Sequence, residues 1–193
     1  MPNFDSFLIY VLVTHFTPGP NNIMSMGNAA RFGFRNSYPF NLGVLVGYFI
    51  VMLLCAIFSS TLFDYIPKVK IYMLIAGAVY MLYLAFKIFK SSYDIKSEKS
   101  GILGFKSGVL FQFINIKLVV SAITIMSVYL VPNFDSKLVL TGFAFTLALV
   151  GFTSTIVWAL FGDVFHKQLR KHMRIVNSIM SLLLVYCAVS LFF

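Results

Sequence analysis

The chain is poor in acid, in cysteine and in long polar stretches, and each shortage closes off a class of protein. Asp and Glu together number 6 of 193 residues. Charged residues make up only 11%, hydrophobic ones 60%, and the mean hydropathy is +0.90, outside the range of ordinary soluble domains. The two cysteines, Cys55 and Cys187, fall inside apolar runs without metal-ligand spacing, so they read as small buried apolar residues rather than a disulfide or a zinc site. Neither HExxH nor GxSxG occurs, and a single histidine, His15, lies inside an apolar run; the residues of a metal or serine enzyme are missing, and neither metal nor cofactor is expected. No positively charged segment precedes the first apolar run, so that run is expected to stay in the mature protein.

What remains is the pattern of an integral membrane protein. A spanning helix takes about 20 mostly apolar residues, and runs of that kind lie at roughly 4–30, 39–63, 68–90, 103–131, 138–162 and 173–193. The expected fold is all-α, with six transmembrane helices in one domain over 1–193. Turn signals punctuate the runs: Gly33 and Pro39, then Asp64 to Pro67, the polar stretch Ser91 to Gly101, Pro132 to Ser136, and the basic cluster between Gly162 and Met173.

A net charge of +9 could suggest nucleic acid, but the bases sit in the short gaps between runs, where topology explains them better. The lipid bilayer is the expected partner, not RNA or DNA. Arg31, Arg35, Lys87, Lys90, Lys96, Lys99, Lys106, Lys167, Arg170, Lys171 and Arg174 fall in or beside odd-numbered gaps; Lys68, Lys70 and Lys137 fall on the other side. Short basic loops stay in the cytoplasm, which places both termini outside, in the periplasm of a bacterium.

Residue 97 divides the chain into halves of three runs each, about 1–92 and 102–193. An odd number of spans per half makes the halves inverted with respect to one another, an arrangement common in transporters. Lys70-Ile71 and Tyr83-Leu84-Ala85 in the third run find echoes in Arg174-Ile175 and Tyr186-Cys187-Ala188 in the sixth, although two apolar helices also resemble each other by chance.

Inside the first run stands Thr17-Pro18-Gly19-Pro20-Asn21, which cannot continue a helix: each proline lacks an N–H and clashes with the preceding turn. At membrane depth a broken backbone needs protein or a water-filled cavity around it, and in transporters such breaks line substrate sites. In the fourth run, 94 positions after Asn21, Asn115 stands with Gln112 and Lys117 in LFQFINIK. No proline interrupts this second stretch, so its unwinding is expected to be weaker.

Lys117 lies 14 residues past Leu103, about 20 Å along a helix rising 1.5 Å per residue. A cation so deep faces the bundle interior or a water path and can bind a substrate carboxylate; otherwise it snorkels to an interface or bonds freed carbonyls. His15, two residues before the break, can carry a proton, or simply donate a hydrogen bond to a carbonyl. Asn21 and Asn22 can cap the second half-helix, bind substrate, or do both. Gly43 and Gly47 form GxxxG and read as a close-packing face, Tyr48 points into a cavity or packs, and Trp158 reads as an interfacial anchor.

TPGPNNI with GFRNS at 33–37, LGVLVGYFIVMLLCA at 42–56, FQFINIK at 111–117 and LLLVYCAV at 182–189 together resemble the LysE/RhtB superfamily of bacterial amino-acid exporters, and most closely its cysteine/O-acetylserine branch. The resemblance implies an inner-membrane secondary transporter of inverted three-helix repeats that exports small amino acids or derivatives. The family's opening motif maps onto Pro18, Gly19, Pro20 and Asn21. Its usual Asn-Pro-Lys maps onto Asn115, Ile116 and Lys117, with the proline absent. Basic-amino-acid exporters of the superfamily carry intramembrane acids, whereas Tyr48 follows Gly47 here and the core has none, so a neutral zwitterion fits better.

The expected substrate site therefore comprises Thr17, Pro18, Gly19, Pro20, Asn21, Asn22, Gln112, Asn115 and Lys117, with His15 as the proton-coupling candidate and a homodimer as the expected assembly. The carboxylate would meet Lys117 and the half-helix near Asn21, the ammonium the carbonyls of Thr17 to Gly19. Two rival readings are an intramembrane enzyme and a non-transporting membrane-interaction protein.

Overall fold

A computed structural model describes residues 4–58, 102–164 and 173–190, together with scattered positions between 72 and 90. Most of the third run, the gap at 91–101 and most of the basic cluster after Val164 lie outside the described residues. Every described element is helical: α1 (Phe4–Phe16), α2 (Pro20–Phe32), α3 (Phe34–Ile57), α4 (Phe105–Ile114), α5 (Ile116–Thr124) with a π-helical continuation Ile125–Leu130, α6 (Lys137–Val164) and α7 (Met173–Ser190). Among the described residues there is no strand.

Among the described residues two helices, α3 and α6, are by themselves long and apolar enough to cross a membrane, and the bent pair of α4 with α5 and its continuation makes a third if it is one span. α3 begins five residues before the expected run. The turn is confined to Gly33, whose φ of 83° is a conformation that favours glycine, and Pro39 lies within the helix rather than in the turn. Asp163, at the end of α6, accepts a hydrogen bond from the Phe34 N–H at 2.8 Å, so α3 starts there, with one orphan donor already satisfied.

The fourth run is interrupted less than the first, as expected, yet it bends strongly. The chain bends by 63° between α4 and α5, although Ile116 stands where a proline would have forced it. Asn115 makes the break: its backbone leaves the helical region (φ −78°, ψ 90°) and its Oδ1 accepts from the Leu118 N–H at 3.4 Å, capping α5. The interruption spans one residue, against three at Thr17 to Gly19.

Packing crosses the midpoint of the chain. α2 lies against α6, and α3 lies against α4 and α6. Gly43 and Gly47 on α3 meet Gly108 and Val109 on α4 so closely that a Cβ on Gly43 would sit 2.1 Å from the Phe105 carbonyl oxygen, which bears out the close-packing reading. One apolar cluster gathers Phe7, Val11, Val51, Met52, Met126 and Leu147; a second gathers Ile23, Met24, Phe40, Val44, Phe111 and Leu184. Both draw from each half of the sequence, and the candidate site lies near the two breaks.

Candidate functional site

Breaking a helix frees carbonyls that must find donors, and around the first break nearly all of them do. The Val13 carbonyl accepts from Thr17 through both its N–H (3.1 Å) and its hydroxyl (2.7 Å). Asn22 Nδ2 turns back to the carbonyls of His15 (2.8 Å) and Thr17 (3.0 Å), and Ser154 Oγ on α6 donates to His15 at 2.7 Å while lying 3.2 Å from Asn22 Oδ1. Trp158 Nε1 reaches the Phe16 carbonyl at 3.3 Å, so this indole serves the break rather than acting only as an interfacial anchor. Gly19 accepts from the Ile23 N–H at 2.9 Å.

Lys117 completes the set. Its ammonium donates to Thr17 Oγ1 at 3.0 Å and to the carbonyls of Thr17 and Pro18, each at 3.4 Å. This is the carbonyl-bonding alternative for Lys117, and it also brings the lysine to the residues expected to share its site. Gly19 makes room for it: a Cβ there would stand 2.9 Å from Lys117 Nζ and 3.0 Å from its Cδ.

The asparagines do not cap α2. Gly19 occupies the cap position and offers no side chain. Asn21 and Gln112 instead exchange amide hydrogen bonds, Nδ2 to Oε1 at 2.8 Å and Nε2 to Oδ1 at 3.2 Å, with Gln112 also donating to the Gly108 carbonyl at 2.9 Å. This reciprocal pair ties the first break to α4 across 91 positions of sequence.

His15 is buried beside Tyr48. Its Nδ1 lies 2.7 Å from the Val11 carbonyl, which only accepts, so Nδ1 carries a hydrogen and in the neutral ring Nε2 accepts from the Tyr48 hydroxyl at 2.6 Å. Gly151 on α6 leaves space for both rings: a Cβ there would stand 3.1 Å from the Tyr48 ring and 3.4 Å from the His15 ring. A pocket joins these groups: His15, Gly19, Pro20, Asn21, Asn22, Tyr48, Asn115 and Lys117 line it together with Ser121, Gly151 and Thr155. The cavity volume is about 40 Å³. A few waters fit as it stands.

The structure thus gathers the expected residues around the two breaks, with the carbonyls of Thr17 and Pro18 accepting from Lys117 and Gln112 engaged with Asn21. Sequence reasoning missed Ser154, Gly151 and Thr155. Asn22→Ala would take a donor from the Thr17 carbonyl and one from His15; leaving buried acceptors short costs about 1–3 kcal/mol. The expected result is a lower melting temperature of the detergent-solubilised protein, lower still for Asn22→Asp, which sets a negative charge against those carbonyls. Unchanged melting in both would show that Asn22 does not hold the break.

Comparison with known proteins agrees on one family. The LysE type translocator family matches residues 12–193. Cysteine/O-acetylserine efflux proteins of Escherichia coli (strain K12), Shigella flexneri and Shigella sonnei (strain Ss046) are each 35% identical over 188 residues, covering 97% of this chain and 96% of theirs. No solved structure matches.

Proposed function

We propose, from the fact that the chain belongs to the LysE type translocator family and is therefore a transporter rather than an enzyme, that it exports small neutral amino acids or derivatives of the cysteine and O-acetylserine kind. Its relatives named for cysteine and O-acetylserine efflux support that substrate class. The six apolar runs are read as spans of the bacterial inner membrane, α1 with α2 and α4 with α5 each forming one broken span, and both termini periplasmic by the distribution of Lys and Arg. The inverted halves, about 1–92 and 102–193, have support in the packing: α2 of the first broken span lies on α6, and α4 of the second lies on α3.

One observation carries the site assignment: the Lys117 ammonium resting on Thr17 Oγ1 and the Thr17 and Pro18 carbonyls beside a polar pocket. A zwitterion has the two charges needed to part them. Its carboxylate takes Lys117 together with the N-terminus of α2, where peptide N–H groups and the helix dipole favour an anion. Its ammonium takes the carbonyls that Lys117 releases. The exchange keeps every charged group partnered, and it makes room in a pocket that otherwise holds only a few waters. His15, bonded to Tyr48 on the pocket wall, is the group we assign to proton coupling. Rocking one half against the other then carries the site from one face to the other.

Proteoliposomes loaded with labelled cysteine or O-acetylserine test this. Reconstituted protein is expected to release the label faster than protein-free vesicles, and unlabelled substrate outside should compete. Release no faster than from empty vesicles, across a panel of neutral amino acids, would overturn the substrate assignment.

A further inference from the structure

Two polar residues take no part in the site. Ser25 on α2 and Asn41 on α3 are both 0% exposed, and Ser25 Oγ and both polar atoms of the Asn41 side chain have no hydrogen-bond partner among the described residues. An orphaned buried amide costs about 1–3 kcal/mol, so one left unmet in a resting state points to water or solute in another. Their positions are related. Each lies eight residues from Gly33, the turn between α2 and α3, so on two antiparallel helices both stand about 12 Å above that turn. Ala29 and Ser37, each four residues from Gly33, are also 0% exposed and continue the same small-residue faces. Towards the pocket, Asn22 is one turn from Ser25, and Tyr48 two turns from Asn41. Ser25 and Asn41 therefore lie between the pocket and the end of the bundle that carries Arg31 and Arg35.

That end is tied shut across the two halves. Asn28 Nδ2 donates to the Leu103 carbonyl at 3.0 Å while its Oδ1 accepts from the Leu103 N–H at 3.2 Å. Asp163 Oδ1 accepts from the Phe34 N–H at 2.8 Å, and Gly162 lies so close to α2 that a Cβ there would sit 2.2 Å from the Met26 carbonyl oxygen. All three contacts join the α2–α3 hairpin to the second half of the chain.

We propose that Ser25 and Asn41 line the closed cytoplasmic access path to the pocket, a polar station for water and for a zwitterionic solute, and that Asn28 and Asp163 are the latches that hold it shut. An amide with a donor and an acceptor, beside a hydroxyl, suits water and a zwitterion better than a bare cation, which has no use for Asn41 Nδ2. The inference rests on the exporter reading, since a substrate leaving the cell must load from this side.

Thiol labelling in membranes tests it apart from transport. Ser25→Cys and, separately, Asn41→Cys are placed in a Cys55→Ala, Cys187→Ala background and treated with a membrane-permeant maleimide, with and without Asn28→Ala and Asp163→Ala together. Labelling is expected to rise by about tenfold or more when the latches are removed, the factor that corresponds to one lost hydrogen bond to a charged group. The same two latch substitutions in a chain that keeps Cys55 control for general unfolding: Cys55, buried in the apolar cluster at 3% exposure, should stay unlabelled. If the double variant does not purify as a folded species, Asp163→Ala alone is read in its place. Equal labelling with and without the latches, or labelling of Cys55 in parallel, would overturn the gate. Failure of the proteoliposome release assay with the unaltered chain would instead remove the exporter reading and leave the gate standing.

Discussion

Lys117→Ala is expected to bring export to the level of empty vesicles while the protein stays in the membrane. In the structure the ammonium rests on Thr17 Oγ1 and the carbonyls of Thr17 and Pro18. In the proposed pair between Lys117 and the substrate carboxylate, truncating one member costs about 2–5 kcal/mol, so release should fall at least roughly thirtyfold. Folding depends on it less, because most freed carbonyls have other donors: Asn22 and Ser154 for His15, Trp158 for Phe16, Asn22 again for Thr17. Lys117→Met separates the charge from the stem, since it keeps an unbranched chain over Gly19 and loses only the ammonium. It should fold as the unaltered protein does and fail to export. Release by Lys117→Met at the unaltered rate would show that the lysine serves the break alone.

The first break was legible because proline and glycine act on the backbone locally: Pro18 and Pro20 have no N–H to give the preceding turn, and Gly19 between them adds backbone freedom. The second was not, because it depends on a side chain. Asn115 caps α5 by accepting from Leu118, and asparagine in an apolar run reads equally well as a ligand, a cap or a buried polar residue with a distant partner. Serine and threonine on α6 show why the rest of the site stayed hidden. Thr141, Thr146 and Thr153 bond the carbonyls of their own helix four residues back, whereas Ser154, one position further on, crosses to His15. Nothing in local sequence distinguishes the two behaviours; which face of α6 meets the break decides it. For the same reason Lys117, Asn21 and Gln112 could be named from the sequence as polar groups at depth, while the pairing of Asn21 with Gln112 depends on α2 and α4 being brought together in the fold.

The largest loss of folded protein is expected from a single methyl group. Gly43→Ala puts a Cβ 2.1 Å from the Phe105 carbonyl oxygen, and Gly108→Ala puts one 2.2 Å from the Phe40 carbonyl oxygen. Neither neighbour is the end of a flexible side chain, so no rotamer change relieves the clash and the helices must part. Overpacking of a tight core costs about 1–3 kcal/mol, occasionally more, and here the backbone separation also removes the van der Waals contact that holds helices together in a membrane, where hydrophobic burial between them contributes little. Gly142→Ala is the matched comparison: nothing lies within 4 Å of its Cβ, and alanine gains about 1 kcal/mol of helix propensity over glycine. Gly43→Ala and Gly108→Ala should therefore give a sharply lower monodisperse yield and melting temperature, with Gly142→Ala unchanged or higher. Because Gly108 also supplies the carbonyl that holds Gln112, and Gln112 holds Asn21, any Gly108→Ala protein that does fold should export poorly, with the first break no longer held against α4. Equal stability of all three variants would mean that α3 and α4 do not meet backbone to backbone.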